Sequence, residues 1–372
     1  MNFIPVNEPL LNGNEKKYLN ECIDTGWISS EGPFVKKLED DFSKYCGQKH
    51  GIAVANGSVA IDVAVRALKE VYGWNDGDEI IMPSFTIISC AQSIIYQGLK
   101  PIFIDAESIT WNIDVSLIEK AITKKTKAIM VANIYGLPSD MKPILEIAKE
   151  YNLKIIEDAA ESHGQDYYGK KCGSFGDVAT FSFYPNKHIT TGEGGMIMTS
   201  NDELAAKCSY LKNLCFSKDR FVHEELGWNF RMSNLQAAVG VAQFERLGQF
   251  IQKKKDMGKL YQELLNDIPA QLPKTQTEYA QNNYWVFGIV LNSEVKFDAK
   301  EAMKMLADKG IGTRPFFYPM HLQPVLKKMK LVDDTKRPIS ENLYKRGFYI
   351  PSGLNLSENQ IEIVAKKVKE IF

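Results

Sequence analysis

The sequence predicts an α/β protein: a large, mostly parallel sheet domain of the α/β/α type, followed by a smaller C-terminal α+β domain. Three observations predict it. Short apolar runs of strand length alternate with helix-length stretches through the first part of the chain, the pattern of successive βα units. Those runs are apolar throughout, as strands covered on both faces are. Beyond about residue 245 the elements become fewer and mixed, after a polar helical stretch. The chain's 372 residues suffice for two cores. The large domain is therefore set at 1–245 and the small one at 246–372.

Taken in order, Phe3 to Pro9 reads as extended and Asn14 to Asp24 as a helix. The turn-rich Trp27-Ile-Ser-Ser-Glu-Gly-Pro33 leads into an amphipathic helix, whose Phe34, Val35, Leu38 and Phe42 recur at helical spacing. Gly51 to Ala55 is a strand, Asn56-Gly-Ser58 a tight turn, and Val59 to Lys69 a helix. Glu79 to Met82, Pro101 to Ile104 and Ala128 to Val131 are apolar strands, and Ser116 to Thr123 and Met141 to Tyr151 are helices. A strand from Leu153 ends at Asp158; two more, around Thr180-Phe-Ser-Phe183 and Met196 to Thr199, flank a glycine-rich loop. In the second domain a polar helix begins near Ile251, Pro269 to Asn283 is loop, and Tyr284 to Leu291 is a strand. Ala299 to Lys309 is a helix, Gly312 to Phe316 begins a strand, and Glu358 to Phe372 closes the chain as a helix.

Composition narrows the function classes. With 44% hydrophobic and 24% charged residues and a formal net charge of −1, the chain reads as a soluble globular protein and not as a dedicated nucleic-acid binder. No apolar run reaches the length a membrane span needs, and the first residues lack the regions of a signal peptide. The six cysteines are scattered without a CxxC pair, which suits a reduced, cytoplasmic protein better than a disulfide scaffold or a metal site. No metal is expected.

The chemistry points to the loop after Phe183. It holds one lysine, Lys187, among Pro185, Asn186, Thr190, Thr191 and the glycines 192, 194 and 195. A lysine at the base of a tight pocket loses water, its pKa falls, and the free amine can form a Schiff base with a carbonyl, pyridoxal phosphate being the usual one. The same loop could also be a surface turn with a solvated lysine. Asp158 decides between them. At the carboxyl end of a buried strand, where α/β sheets bind ligands, a carboxylate can keep a pyridine nitrogen protonated. Gly57 and Ser58, between a strand and a helix, would present N–H groups and the helix dipole to an anion such as a phosphate.

These stretches resemble the DegT/StrS-type nucleotide-sugar aminotransferases, which have the fold-type-I architecture of aspartate aminotransferase. The motifs, in the family's order, are Gly26-Trp-Ile-Ser-Ser30, Ala55-Asn-Gly-Ser-Val-Ala60, Ile156-Glu-Asp-Ala-Ala160 and Ser182-Phe-Tyr-Pro-Asn-Lys187. They continue with Thr190-Thr-Gly-Glu-Gly-Gly195, Trp228-Asn-Phe-Arg-Met232 and Thr313-Arg-Pro-Phe-Phe-Tyr-Pro319. The resemblance implies pyridoxal 5'-phosphate carried on Lys187, with Asp158 at its ring nitrogen and Gly57, Ser58 and Ser182 at its phosphate. It implies Glu161 near the phenolic oxygen, Ile87 against the ring, and Asn229 reaching the phosphate across a homodimer with shared active sites. Trp27, Arg314, Tyr318 and His321 match substrate-side positions.

The implied reaction moves an amino group from L-glutamate to a keto group on a nucleotide-linked sugar, a GDP-linked 4-keto-6-deoxymannose being the nearest type. Such chemistry belongs to polysaccharide biosynthesis. Ile87 stands where relatives often carry an aromatic, Asn133 where some carry histidine, and Pro185 and His188 alter the surroundings of the lysine. A small phosphorylated ketone therefore stays open as the acceptor. Relatives that act as sugar dehydratases replace the lysine by histidine; here Lys187 keeps the register, five residues after Ser182 and five before Gly192. A non-catalytic regulatory protein is the remaining alternative, and the intact lysine, aspartate and phosphate loop count against it.

Overall fold

The computed structural model describes residues 3–219 and 221–372. Its strands are β1 His50–Val54, β2 Glu79–Pro83, β3 Lys100–Ile104, β4 Thr126–Ala132, β5 Lys154–Asp158, β6 Asp166–Tyr167 and β7 Lys170–Lys171. They continue as β8 Val178–Ser182, β9 Gly195–Thr199, β10 Ala270–Gln271, β11 Phe287–Leu291, β12 Arg314–Pro315 and β13 Gly347–Ile350. Seven of them form one sheet in the order β1-β9-β8-β5-β4-β2-β3. The pairs from β3 through β8 are parallel; β9 runs against both β8 and β1. The expected parallel-dominated sheet is present, with one reversed strand that the sequence did not announce.

The apolar strand runs divide between two faces because side chains alternate. Ile80, Met82, Met130 and Ile156 pack toward the helix Gly57–Val71. Ile81, Ile129, Val131 and Ile155 pack toward the helix Met141–Glu150. A four-stranded antiparallel sheet, β10-β11-β13-β12, forms the C-terminal core with Tyr261, Phe287, Ile289, Phe348 and Ile350. Ile4 belongs to this second core: it bridges Ile311, its N–H donating to the Gly310 carbonyl at 2.9 Å. Phe85, Trp111, Tyr135, Trp285 and Phe316 join the two sheets.

Helix ends follow their capping residues. Asn56 accepts from Val59 N–H at 3.1 Å and starts its helix at Gly57, two residues before the expected Val59. Capping boxes at Ser233, Asp298 and Ser357 start the helices Asn234–Phe244, Ala299–Asp308 and Glu358–Lys369.

Several expectations change. The helix expected over Ser116 to Thr123 is a 3₁₀ turn, Val115–Leu117, and one helical turn, Ile118–Ala121. It stops where Thr123 turns its hydroxyl to Glu79, Oγ1 to Oε2 at 2.6 Å. The strand expected from Tyr284 begins at Phe287, because Tyr284 sits at φ 49°, outside extended geometry. Five helices, Ile88–Tyr96, Asp202–Leu211, Asn234–Phe244, Pro324–Lys328 and Pro338–Arg346, were not foreseen. No helix among the described residues is long and apolar enough to cross a membrane.

Candidate active site

Loops at the carboxyl ends of β1, β2, β4, β5 and β8 converge on a cavity of about 680 Å³, where ligands bind in open α/β sheets. Among its lining residues are Gly57, Ser58, Ile87, Asp158, Glu161, Ser182 and Lys187. Seven sequence-predicted site residues thus meet in one place.

Lys187 lies on the connection between β8 and β9, whose base is closed by the antiparallel pair Ser182 and Gly195. Gly195 has to be glycine: a Cβ there would come within 2.5 Å of the Asn56 carbonyl oxygen. The Lys187 amine is buried, 3.6 Å from Glu161 Oε1 and 3.9 Å from the centroid of the Trp285 ring. Desolvation holds its pKa below the ordinary lysine value, against the attraction of Glu161 and Asp158. Burial pushes the Glu161 carboxyl up to about 7, with Lys187 and the Tyr135 N–H pulling the other way. That N–H donates to Glu161 Oε2 at 2.9 Å.

Asp158 ends β5. Its Oδ1 accepts from Ala160 N–H at 3.1 Å, and the buried Cys90 thiol donates to Oδ2 at 3.2 Å. Burial raises its pKa, and these two donors and Lys187 oppose the rise. Behind the loop lie two neutral histidines. His163 is buried without a partner on either nitrogen, its pKa driven down to about 3 by burial. His188 Nε2 faces the Asn283 carbonyl at 3.3 Å, and burial drives its pKa well down too.

On the opposite side the helix Gly57–Val71 points its N-terminus into the cavity. A Cβ on Gly57 would come within 2.6 Å of Ser182 Cβ, so only glycine lets the turn and the strand end approach. Ser58 Oγ and Ser89 Oγ are 2.7 Å apart. Two hydroxyl side chains and the free N–H groups of a helix start make a cradle for a dianion. Asn186 Oδ1, on the same lining, is buried without a hydrogen-bond partner.

Other expected residues lie off the lining. Asn229 is exposed, its Oδ1 accepting from Arg231 Nε at 2.9 Å. Trp27 is exposed and its carbonyl accepts from Asn234 Nδ2 at 2.6 Å. Arg314 is exposed, and Tyr318 packs edge-on against Tyr344 at 4.7 Å. His321 is buried between Ser84 Oγ, 2.7 Å from Nδ1, and Glu341 Oε1, 3.2 Å from Nε2.

The lining also holds residues that sequence reasoning passed over, chiefly Trp285, Phe317 and Tyr349 from the C-terminal part. Phe317 carried a signal: Phe316 is buried core, so its neighbour in an extended segment faces the other way. Asn133 had been noted only as a departure. Its Nδ2 donates to the buried Glu157 at 3.2 Å and its Oδ1 accepts from Ser139 N–H at 3.0 Å. Among the described residues no cluster of side chains could hold a metal ion, and the six cysteines are free.

The sequence profile of the DegT/DnrJ/EryC1/StrS aminotransferase family matches residues 9–369. The chain is 40% identical over 373 residues to GDP-perosamine synthase of Escherichia coli O157:H7, covering 100% of this chain and 99% of that protein. It is 39% identical over 370 residues to GDP-perosamine synthase of Vibrio cholerae, covering 99% of each. The fold matches that of Helicobacter pylori PseC, an aminotransferase involved in the biosynthesis of pseudoaminic acid. There the TM-score is 0.93 at 23% identity, over 100% of this chain and 99% of that one.

Proposed function

Because the chain belongs to the DegT/DnrJ/EryC1/StrS aminotransferase family, we propose that it aminates a nucleotide-linked keto sugar of the GDP-4-keto-6-deoxymannose type. L-Glutamate is the amino donor in this reading, and the product enters polysaccharide biosynthesis. The observation that carries the proposal is the pairing of one buried amine, Lys187, with one buried carboxylate, Asp158, on a single cavity. Full-length identity near 40% to two enzymes named for GDP-perosamine supports the choice of sugar.

The family's cofactor is pyridoxal phosphate, and the side chains present suit it: an anion cradle, an amine and an acid share one wall system. In this assignment Lys187 holds it covalently, Gly57, Ser58 and Ser182 hold its phosphate, and Asp158 faces its ring nitrogen. Ile87 packs on its ring and Glu161 lies by its phenolic oxygen. Asn229 of a second copy would complete the phosphate site in a homodimer. When bound, the cofactor supplies an electron sink that makes an amino acid's α-proton removable.

This chain's residues do the rest. Burial lowers the Lys187 pKa and so eases loss of its proton, which lets the amine act as the base and return the proton as an acid. Glu161, titrating near 7, biases that amine toward its charged form when itself ionised. Trp285, Phe317 and Tyr349 wall the cavity against bulk water. Arg314, Trp27, Tyr318 and His321 are assigned to the acceptor's side of the site, where an exposed guanidinium can meet a diphosphate. The six free, buried cysteines are in keeping with a cytoplasmic enzyme.

The test is amination of GDP-, UDP- and dTDP-linked 4-keto sugars with L-glutamate, read by product mass. The expected product is the GDP-linked amino sugar. A product that has lost oxygen without gaining nitrogen, or amination confined to small keto phosphates, overturns the reading.

A further inference from the structure

The reactive loop is gripped from the far side of the cavity. Trp285, just ahead of β11, is 3% exposed. Its indole Nε1–H donates to the Asn186 carbonyl at 2.7 Å, one residue before the lysine. Its ring stands 3.9 Å from Lys187 Nζ. The indole is itself held by a pair of rings that touch each other: Tyr135 lies at 5.7 Å and Tyr349 at 6.2 Å between ring centroids. Its backbone is fixed as well. The Trp285 carbonyl accepts from Lys254 Nζ at 2.9 Å, and the same amine donates to the Ser352 carbonyl.

We propose that Trp285 is a positioning residue for the reaction: it anchors the Asn186 carbonyl and keeps water from one side of the Lys187 amine. The proposal rests on the reading of Lys187 as the reactive group. Two effects of the ring oppose each other. Its π face favours the ammonium form by roughly 0.5–2 kcal/mol. Its bulk excludes water, and full burial shifts a lysine by up to about 3–5 pH units in the opposite direction. Exclusion of water is therefore the stronger effect. The other titratable groups facing the amine are Glu161 and Asp158 across the cavity, with His163 and His188 beneath the loop. Both histidines stay neutral, which leaves the two carboxylates and the indole to set the balance.

The experiment measures the amine directly in the full-length chain stripped of pyridoxal phosphate. Lys187 acylation is followed against pH by peptide mass in wild type, Trp285→Phe and Trp285→Ala. Opening the wall in the alanine variant should raise the midpoint of reactivity by about one pH unit or more, and the phenylalanine variant should restore most of it. Trp285→Phe, which keeps a ring but loses the indole N–H, should exchange backbone hydrogens faster over residues 184–190 while its Tm stays near wild type. An unmoved or lowered midpoint in Trp285→Ala overturns the water-excluding role. If that variant does not fold, unchanged exchange in Trp285→Phe overturns the anchoring role. Borohydride reduction of the wild-type holoprotein separates the two readings: no cofactor adduct at Lys187 refutes the assignment of the amine, whatever Trp285 does.

Discussion

Lys187 and Lys254 are both lysines whose pKa burial lowers, and the difference between them shows what burial can and cannot supply. Lys254, on the helix Leu247–Leu264, is 1% exposed and its pKa is brought down to about 7 by burial alone. Its amine is spent on two backbone carbonyls, those of Trp285 and Ser352. Lys187 is shifted in the same direction by the same cause, yet it faces two carboxylates and lines the cavity at the strand ends. Desolvation gives both amines a lowered pKa. Access to a ligand and a nearby acid suit only Lys187 to the chemistry proposed for it.

The largest test of that contrast is Lys187→Ala, which should cut amination by more than about 10³-fold while the thermal midpoint stays near wild type. Product mass and a melting curve check it, and retained turnover would end the assignment. Ser182→Ala comes next. Losing one hydrogen bond to a charged phosphate, worth about 1.5–3 kcal/mol, should weaken pyridoxal phosphate binding by roughly ten-fold or more. Equilibrium dialysis reads it, and unchanged binding would remove Ser182 from the cradle.

Glu161→Gln probes the acid beside the reactive amine. Its carboxyl titrates near 7 because burial raises it. Below that pH it loses its charge and with it the pull on the Lys187 ammonium. The kcat profile of the wild type should bend near pH 7, and the bend should vanish in the glutamine variant, with activity about ten-fold lower above it. A profile that keeps the bend shifts the titration to another group.

Lys254→Met should have the smallest effect and a different kind. Between pH 7 and the ordinary lysine value of 10.5, the unfolded chain holds a proton that the folded one lacks. The wild type's stability from this group therefore rises with pH through that window and is lost as pH falls toward 7. Methionine cannot titrate, so the wild-type advantage in Tm should grow by a few degrees between pH 7 and 9. Borohydride should still fix the cofactor on Lys187. Parallel melting curves for the two proteins would contradict the shifted titration.

Much of the same contrast was legible in the residues themselves. Lys187 stood out because a glycine-rich loop surrounds it, and Asp158 because an apolar strand ends in an acid. Both are local signals. Trp285 read only as one residue of an apolar run, since its partners Asn186 and Lys187 come from another element and only the fold joins them. Lys254 sat in a run of lysines that reads as a solvated helix face; a helix laid across two strand ends buries one of them. The reversed β9 was hidden for a similar reason: an apolar strand looks the same in either direction. Ser116 to Thr123 has helical composition, but Thr123 finds better partners in Glu79 and Thr126.

The contact between Asn186 and Trp285 spans 99 positions of the chain. During synthesis, then, the lysine leaves the ribosome long before the indole that covers it. A nascent or truncated polypeptide carries an ordinary, well-hydrated amine at that point, with the acid–base behaviour of any surface lysine. The wall over that amine is thus completed late, at the docking of the last sheet.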